Sequence, residues 1–275
     1  MSNTKKHVPG FTLIELLLVV AILAALTAVV LPKFDGLQGK VNHGVGAASA
    51  DDTGRQIVTF KVTKNRYPNG WDTLLDETNT ALWAAEDATQ KGIHTQLANS
   101  PIASSSGAKL TTIKLTENQV ASLARMGITR IYNLGDSSGT ILPGDAYNVP
   151  ANIAEDTTVA VLNASSSAGK KMIDSIYPAN TIVGNASATP PIAAGVSGTL
   201  PNNKVVVVFG FGPKNELIGT AMMDVPFYPN VDLTLVYNRN LVAFEVDANG
   251  GKADFKGVFG TDGDLKSDMA SAMFK

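Results

Sequence analysis

The segment Phe11–Leu31 constrains this chain more than any other. It is apolar at every position except Thr12, Glu15 and Thr27. Coiled as a helix, its 21 residues would measure about 31 Å, the thickness of a bilayer core. Lys5 and Lys6 precede it, which favours a cytoplasmic amino terminus and places the bulk of the chain on the outer side. That bulk is sizeable. The chain has 275 residues, 44% hydrophobic and 17% charged, a composition that predicts a folded domain rather than disorder. A net charge of −2 without a long basic run lacks the footprint of a nucleic-acid binder. Cysteine is absent, so neither disulfides nor thiolate metal sites exist. An extracytoplasmic domain of this chain must be held by its core, its partners or hard metal ions.

Three readings of the apolar segment compete. A secretory signal peptide would have a shorter apolar region with an A-x-A site just after it, and none occurs inside the run. A plain membrane anchor accounts for the length but not for Glu15, a carboxylate one turn inside the run. A charge there costs several kcal/mol, on the order of 3, unless it lies at an interface or is paired. Glu15 reaching to the interface and Gly10 acting as a simple helix start are the simpler alternatives.

The third reading supplies a partner. Pro9-Gly10-Phe11-Thr12-Leu13-Ile14-Glu15-Leu16 resembles the signal of type IV prepilins and type II secretion pseudopilins. The resemblance implies that a prepilin peptidase cuts after Gly10 and methylates the new amino terminus at Phe11. Glu15 becomes the fifth mature residue and Pro32 the twenty-second, both common positions in that family. It further implies that Glu15 pairs with the Phe11 amine of a neighbouring copy. Net strength is offset by desolvation, so register is the better-supported benefit.

Beyond the run, Pro32 should kink or locally open the helix. Phe34, Leu37, Val41, Val45 and Ala48 continue an amphipathic spacing, while Gly36, Gly39, Gly44, Gly46 and Gly54 oppose it. The domain reading is therefore a leader over 1–10 and a long helix over 11–65. That helix is transmembrane over 11–31 and kinked or partly melted over 32–54. A globular head occupies 66–275. Pro68 ends the helix near Asn65. Arg66-Tyr67-Pro68-Asn69-Gly70-Trp71 is similar to the Tyr-Pro segment after the long helix of many pseudopilins, with Trp71, Leu74 and Leu75 expected under the helix. A short helix is expected within Asp72–Ala88. Thr116-Glu117-Asn118-Gln119 is a capping box opening a helix that stops at Gly127. Strands are expected at Ile128–Leu134, Thr158–Leu162, Lys204–Phe211, Leu217–Met222, Val231–Tyr237 and Leu241–Val246, the last two forming a hairpin through Asn238-Arg239-Asn240. Val205–Phe209 reads as a buried central strand. Ser104–Ser106, Ser165–Ser167 and Asn185–Thr199 read as surface loops. Asn163 and Asn185 fit a glycosylation sequon. The fold class is α+β: a long amino-terminal helix packed on a mainly antiparallel sheet, as the resemblance implies.

Catalytic chemistry finds little support. His7 lies in the expected leader, and His43 and His94 stand alone. G-x-S-x-G, H-E-x-x-H and phosphate-loop motifs are absent, and Gly210-Phe211-Gly212 reads as a turn after a strand. No cofactor is assigned. Calcium is the one candidate, from Asp247, Asn249, Asp254, Asp262, Asp264 and Asp268. Major pseudopilins hold calcium in their carboxy-terminal loops, but the spacing here is not that of an EF-hand, and Asp with Gly more often simply makes turns. The resemblance implies a non-enzymatic filament subunit of a type IV pilus or a type II secretion pseudopilus. Its partners would be prepilin peptidase, an inner-membrane assembly platform and other copies of itself or related pilins. It would reside in the inner membrane as a single-pass protein, then in a periplasmic or surface filament. The alternatives are a minor tip pilin recognising a substrate or surface, and a membrane-anchored enzyme.

Overall fold

The computed structural model describes residues 12–75, 78–79, 81, 109–134, 148–177, 200–201, 203–226 and 239–260. In chain order the elements are α1 (Leu13–Lys64), β1 (Trp71–Asp72), β2 (Leu110–Lys114), α2 (Glu117–Arg125), β3 (Arg130–Leu134), β4 (Asn148–Asn152), β5 (Thr158–Leu162), α3 (Ser167–Ile176), β6 (Lys204–Gly210), β7 (Leu241–Asp247) and β8 (Asp254–Phe259). The chain divides into two compact units, Met1–Val41 and Asn42–Lys275.

In the first unit α1 has no polar face between Leu13 and Leu26. Leu13, Ile14, Leu16, Leu17, Leu18, Val19, Val20, Ile22, Leu23 and Leu26 are all exposed, although they point in every direction around the axis. A helix apolar all round belongs in apolar surroundings.

The second unit is a mixed helix and sheet domain. Its eight described strands run mainly antiparallel, with β1 and β3 as the parallel pair. The sheet branches at β6. One edge of β6 pairs with β7 over its whole length, from Lys204↔Asp247 to Gly210↔Leu241. The other edge meets β5 at Val161↔Val207 and β1 at Asp72↔Gly210. Beyond these lie β2 on β5, β8 on β7, and β4 on β3.

The run of valines in β6 follows from burial on both faces. Val207 and Phe209 join one core with Ile57 and Phe60 of α1, Tyr67, Trp71, Ile131, Val161, Val242 and Phe244. Val206 and Val208 join a second core with Leu74, Leu75, Leu110, Leu134, Ala160, Leu162, Leu241, Ala243 and Phe259, covered by Met172 and Ile173 of α3. Trp71 stands at the centre of the first. Its ring lies 5.3 Å from Phe244, edge-on, and 6.0 Å from Phe211, and its indole N–H donates to the Pro68 carbonyl at 2.8 Å. Burying such a side chain contributes about 3 kcal/mol. Trp71 therefore sits under the helix as expected, whereas Leu74 and Leu75 face the opposite core.

Several expectations are corrected. Helix α1 is continuous through 32–54, which overturns the partly melted alternative and is compatible with a kink at Pro32. Within 42–54 the reason is packing: Gly46, Ala47, Ala50 and Thr53 are buried, and small residues let the helix lie close to the sheet, overriding weak propensity. Asn240 fixes the approach, its amide donating to Ser49 Oγ at 3.1 Å and Thr53 Oγ1 at 3.0 Å. Leu217–Met222 forms turns closed by a single Ile218↔Met222 bridge rather than a strand, with Gly219 at φ +80° and the Asn215 side chain accepting from Leu217 N. Asp72 lies in β1 and Leu74 at φ +62°, and most of Asp72–Ala88, the stretch expected to contain a short helix, lies outside the described residues. Both edges of β7 are taken, by β6 and β8; Val231–Tyr237, the other strand of the expected hairpin, lies outside the described residues. Ser165–Ser167 is a helix start, with Ser166 Oγ accepting from Gly169 N at 2.9 Å. Helix α2 opens on its capping box as expected, and α1 ends at Lys64 before Asn65 at φ +55°.

Candidate functional site

The described end of the amino-terminal site begins at Thr12. Gly10 and Phe11 lie outside the described residues, as do His7 and His94, the Ser104–Ser106 and Asn185–Thr199 loops and Asn185 of the second sequon. Thr12 and Glu15 form a reciprocal cap. Glu15 Oε2 accepts from Thr12 N and from Thr12 Oγ1, each at 2.8 Å, and Glu15 N donates back to Thr12 Oγ1 at 3.4 Å. The first helical bond follows at once, from Leu16 N to Thr12 O at 3.2 Å. Glu15 thus acts locally by satisfying an amide that the start of a helix leaves without an intrahelical acceptor. Sequence reasoning missed this cap, although Thr12-x-x-Glu15 has the same spacing as Thr116-x-x-Gln119.

Glu15 is exposed and sits one residue past Ile14 on the helix that is apolar all round. A carboxylate so placed has the Thr12 donors on one side and no cation beside it among its described bonds. Residues 5–31 match the family described as the prokaryotic N-terminal methylation motif.

The chain carries a prepilin-type methylation motif.

That motif is the signature of type IV pilins and pseudopilins, structural proteins processed by a prepilin peptidase and assembled into pilus-like filaments. The match takes in Lys5, Lys6, Gly10, Phe11, Glu15 and the whole apolar run, and ends one residue before Pro32. No curated protein and no solved structure matches the chain. Among the described residues no helix is long and apolar enough to cross a membrane.

Away from the motif, the Tyr67-Pro68 segment is a joint between α1 and the sheet. Tyr67 is buried; its amide donates to the Met126 carbonyl at 2.7 Å, and its hydroxyl accepts from Lys61 Nζ at 2.7 Å and from Phe255 N at 2.9 Å. Asn69 Oδ1 accepts from Gly70 N, Thr129 N and Arg130 N, at 3.0, 3.1 and 2.8 Å. Arg66 forms a two-pronged ion pair with Glu216, which holds the Glu216 carboxyl below its usual range. Gly70 at φ +80° admits no side chain, since a Cβ would lie 2.5 Å from the Lys214 carbonyl oxygen.

The acidic region divides. Asp247 pairs with Lys204 at 2.8 Å and accepts from Asn249 N at 2.8 Å, while Asp254 pairs with Lys256 at 3.2 Å and Lys61 at 3.5 Å. Lysines thus occupy these two carboxylates, and no group of three or more metal-binding side chains occurs among the described residues. Asp262, Asp264 and Asp268 lie outside them.

Proposed function

We propose that this chain is a structural subunit of a type IV pilus-like or type II secretion pseudopilus filament. The observation that carries the reading is the methylation motif over 5–31 with Glu15 five residues past Gly10. On this reading the peptidase cuts after Gly10 and methylates Phe11. The cut also removes Lys5 and Lys6, the cationic barrier beside the membrane. Residues 11–31 span the inner membrane with the amino terminus cytoplasmic and the head outside, and Pro32 bends the helix just past the span.

Assembly then becomes a change of partner for Glu15. In the lone chain its carboxylate is held by two neutral donors of Thr12. The methylated Phe11 amine of a neighbouring copy is a cationic donor, and charge-assisted bonds are about twice as strong as neutral ones. The pair sets the axial stagger between subunits, and the apolar surface of α1 from Leu13 to Leu26 supplies the contact area. Because the interface joins unlike ends, it does not close and so propagates as a fibre.

Intact mass of the membrane-extracted protein tests this. The mature chain should begin at Phe11 and carry one added methyl group. A native protein that keeps residues 1–10, or is trimmed beyond Leu31, would end the proposal. Gly10→Val should retain the leader, because a branched side chain does not fit where the peptidase takes glycine. Mature-sized product from that variant would remove the cleavage assignment.

A further inference from the structure

We propose that the Asn249-Gly250 step is a site of spontaneous covalent modification, at which the asparagine amide is exchanged for an acid. The sequence holds two Asn-Gly steps, Asn69-Gly70 and Asn249-Gly250. Asparagine is thermolabile, and most so before glycine. A residue without a side chain leaves its backbone nitrogen open to close a five-membered ring on the preceding carboxamide. By sequence the two steps are alike; in the fold they are not.

Asn69 is locked. Its Oδ1 accepts from Gly70 N, Thr129 N and Arg130 N, and its Nδ2 donates to Thr129 Oγ1 at 2.9 Å. Gly70 is buried, and its N–H also donates to the Arg130 carbonyl at 3.0 Å. Closing the ring here means giving up these bonds together, including those to the first residue of β3.

Asn249 is exposed, on the connection between β7 and β8. Its backbone N–H donates to Asp247 Oδ1 at 2.8 Å, and its carboxamide has no hydrogen-bond partner among the described residues. Gly250 is buried against Asn118, yet its N–H makes a single bond, to the Asp247 carbonyl at 3.1 Å, which closes the turn itself. Fraying of the turn frees that nitrogen with no strand pair broken.

Gly250 N then gives its proton to solvent and attacks Asn249 Cγ. The N–Cγ bond forms, the Cγ–Nδ2 bond breaks, and Nδ2 leaves as ammonia with a proton from water. A second water opens the cyclic imide at one of its two carbonyls. One opening gives aspartate. The other gives isoaspartate, in which the chain runs through the side-chain carbon. The turn gains a negative charge beside Asp247, which Lys204 already holds at 2.8 Å. In the isoaspartyl form it also gains a backbone carbon, close to where Ser122 of α2 accepts from Ala253 N and Asp247 N.

The test uses the full chain, extracted in detergent and held in warm, mildly alkaline buffer. Its peptides are weighed over time, and isoaspartate is marked with an isoaspartate-specific methyltransferase. Conversion at Asn249 should run at least about ten-fold ahead of Asn69, and denaturant should bring the two rates together. Asn249→Gln should erase the signal from that peptide, because a six-membered ring closes far more slowly. Equal rates in the folded chain would overturn the proposal. So would an Asn249 that stays intact while the denatured chain converts. A gap that persists in denaturant would overturn it as well, since the difference would then lie in the local sequence and not in the fold.

Discussion

Glu15 caps the start of α1, and on the proposed reading it also serves assembly; the two demands are separable. As a cap it needs only an oxygen acceptor three residues after Thr12, whereas as an assembly residue it needs a negative charge. Glu15→Gln keeps the first and loses the second; Glu15→Ala loses both. Both variants are expected to insert and to be cleaved normally, and both should lose most of the filament yield measured by shearing or sedimentation. Wild-type yield from Glu15→Gln would reduce the residue to a helix start. The methylation motif over 5–31 is legible in the sequence because its spacing is local. The Arg66–Glu216 pair is not, since its members lie 150 residues apart and no local pattern announces such a contact.

Among the elements, those with local grammar are the legible ones. Helix α2 shows this best: Thr116 N donates to Gln119 Oε1 at 2.9 Å, Gln119 N donates to Thr116 Oγ1 at 3.4 Å, and Gly127 follows at φ +85°. Thr116→Ala should lower stability by about 1 kcal/mol, measured as a shift of the denaturant midpoint with an unchanged slope. A shift indistinguishable from zero would mean the helix is held by Leu123 and the core alone. The strands β3, β5, β6 and β7 are legible from apolar runs. What escapes is set by tertiary context. Strand β8 reads Asp-Phe-Lys-Gly-Val-Phe, with a bulge at Lys256 opposite the Ala243–Phe244 step of its partner and Gly257 inside it, and β4 carries Pro150. Both are defined by the neighbour they pair with rather than by their own composition. Leu217–Met222 departs in the opposite sense, an apolar stretch that the chain folds into turns.

Across the head as a whole, ion pairs tie separate pieces together: Arg66 to Glu216, Lys204 to Asp247, and Lys61 and Lys256 to Asp254. The Arg66 hydrogen bonds lower Glu216, and the Lys204 hydrogen bond lowers Asp247. Burial pushes Asp254 up, but Lys256, Lys61 and Tyr67 bring it down overall. Carboxylates lowered in the folded state stabilise it above their unfolded values, near pH 4, and that contribution fades as pH falls through the folded values. The head should therefore hold a constant melting temperature from neutral pH to about 5 and lose it progressively below about 4. Glu216→Gln should shrink the acid-dependent part of that loss. An acid profile identical to wild type would show that the Arg66 pair contributes nothing across this range.

The branch at β6 has a consequence for biogenesis. That strand supplies alternate residues to both cores and joins β5, β1 and β7, yet it begins only at Lys204. A polypeptide is delivered amino end first, so an anchored chain would have most of its length across the bilayer before its keystone arrived. Until then Trp71, Val161 and Leu162 would have water where β6 belongs, and the nascent domain would be most vulnerable to sticking to its neighbours during that interval.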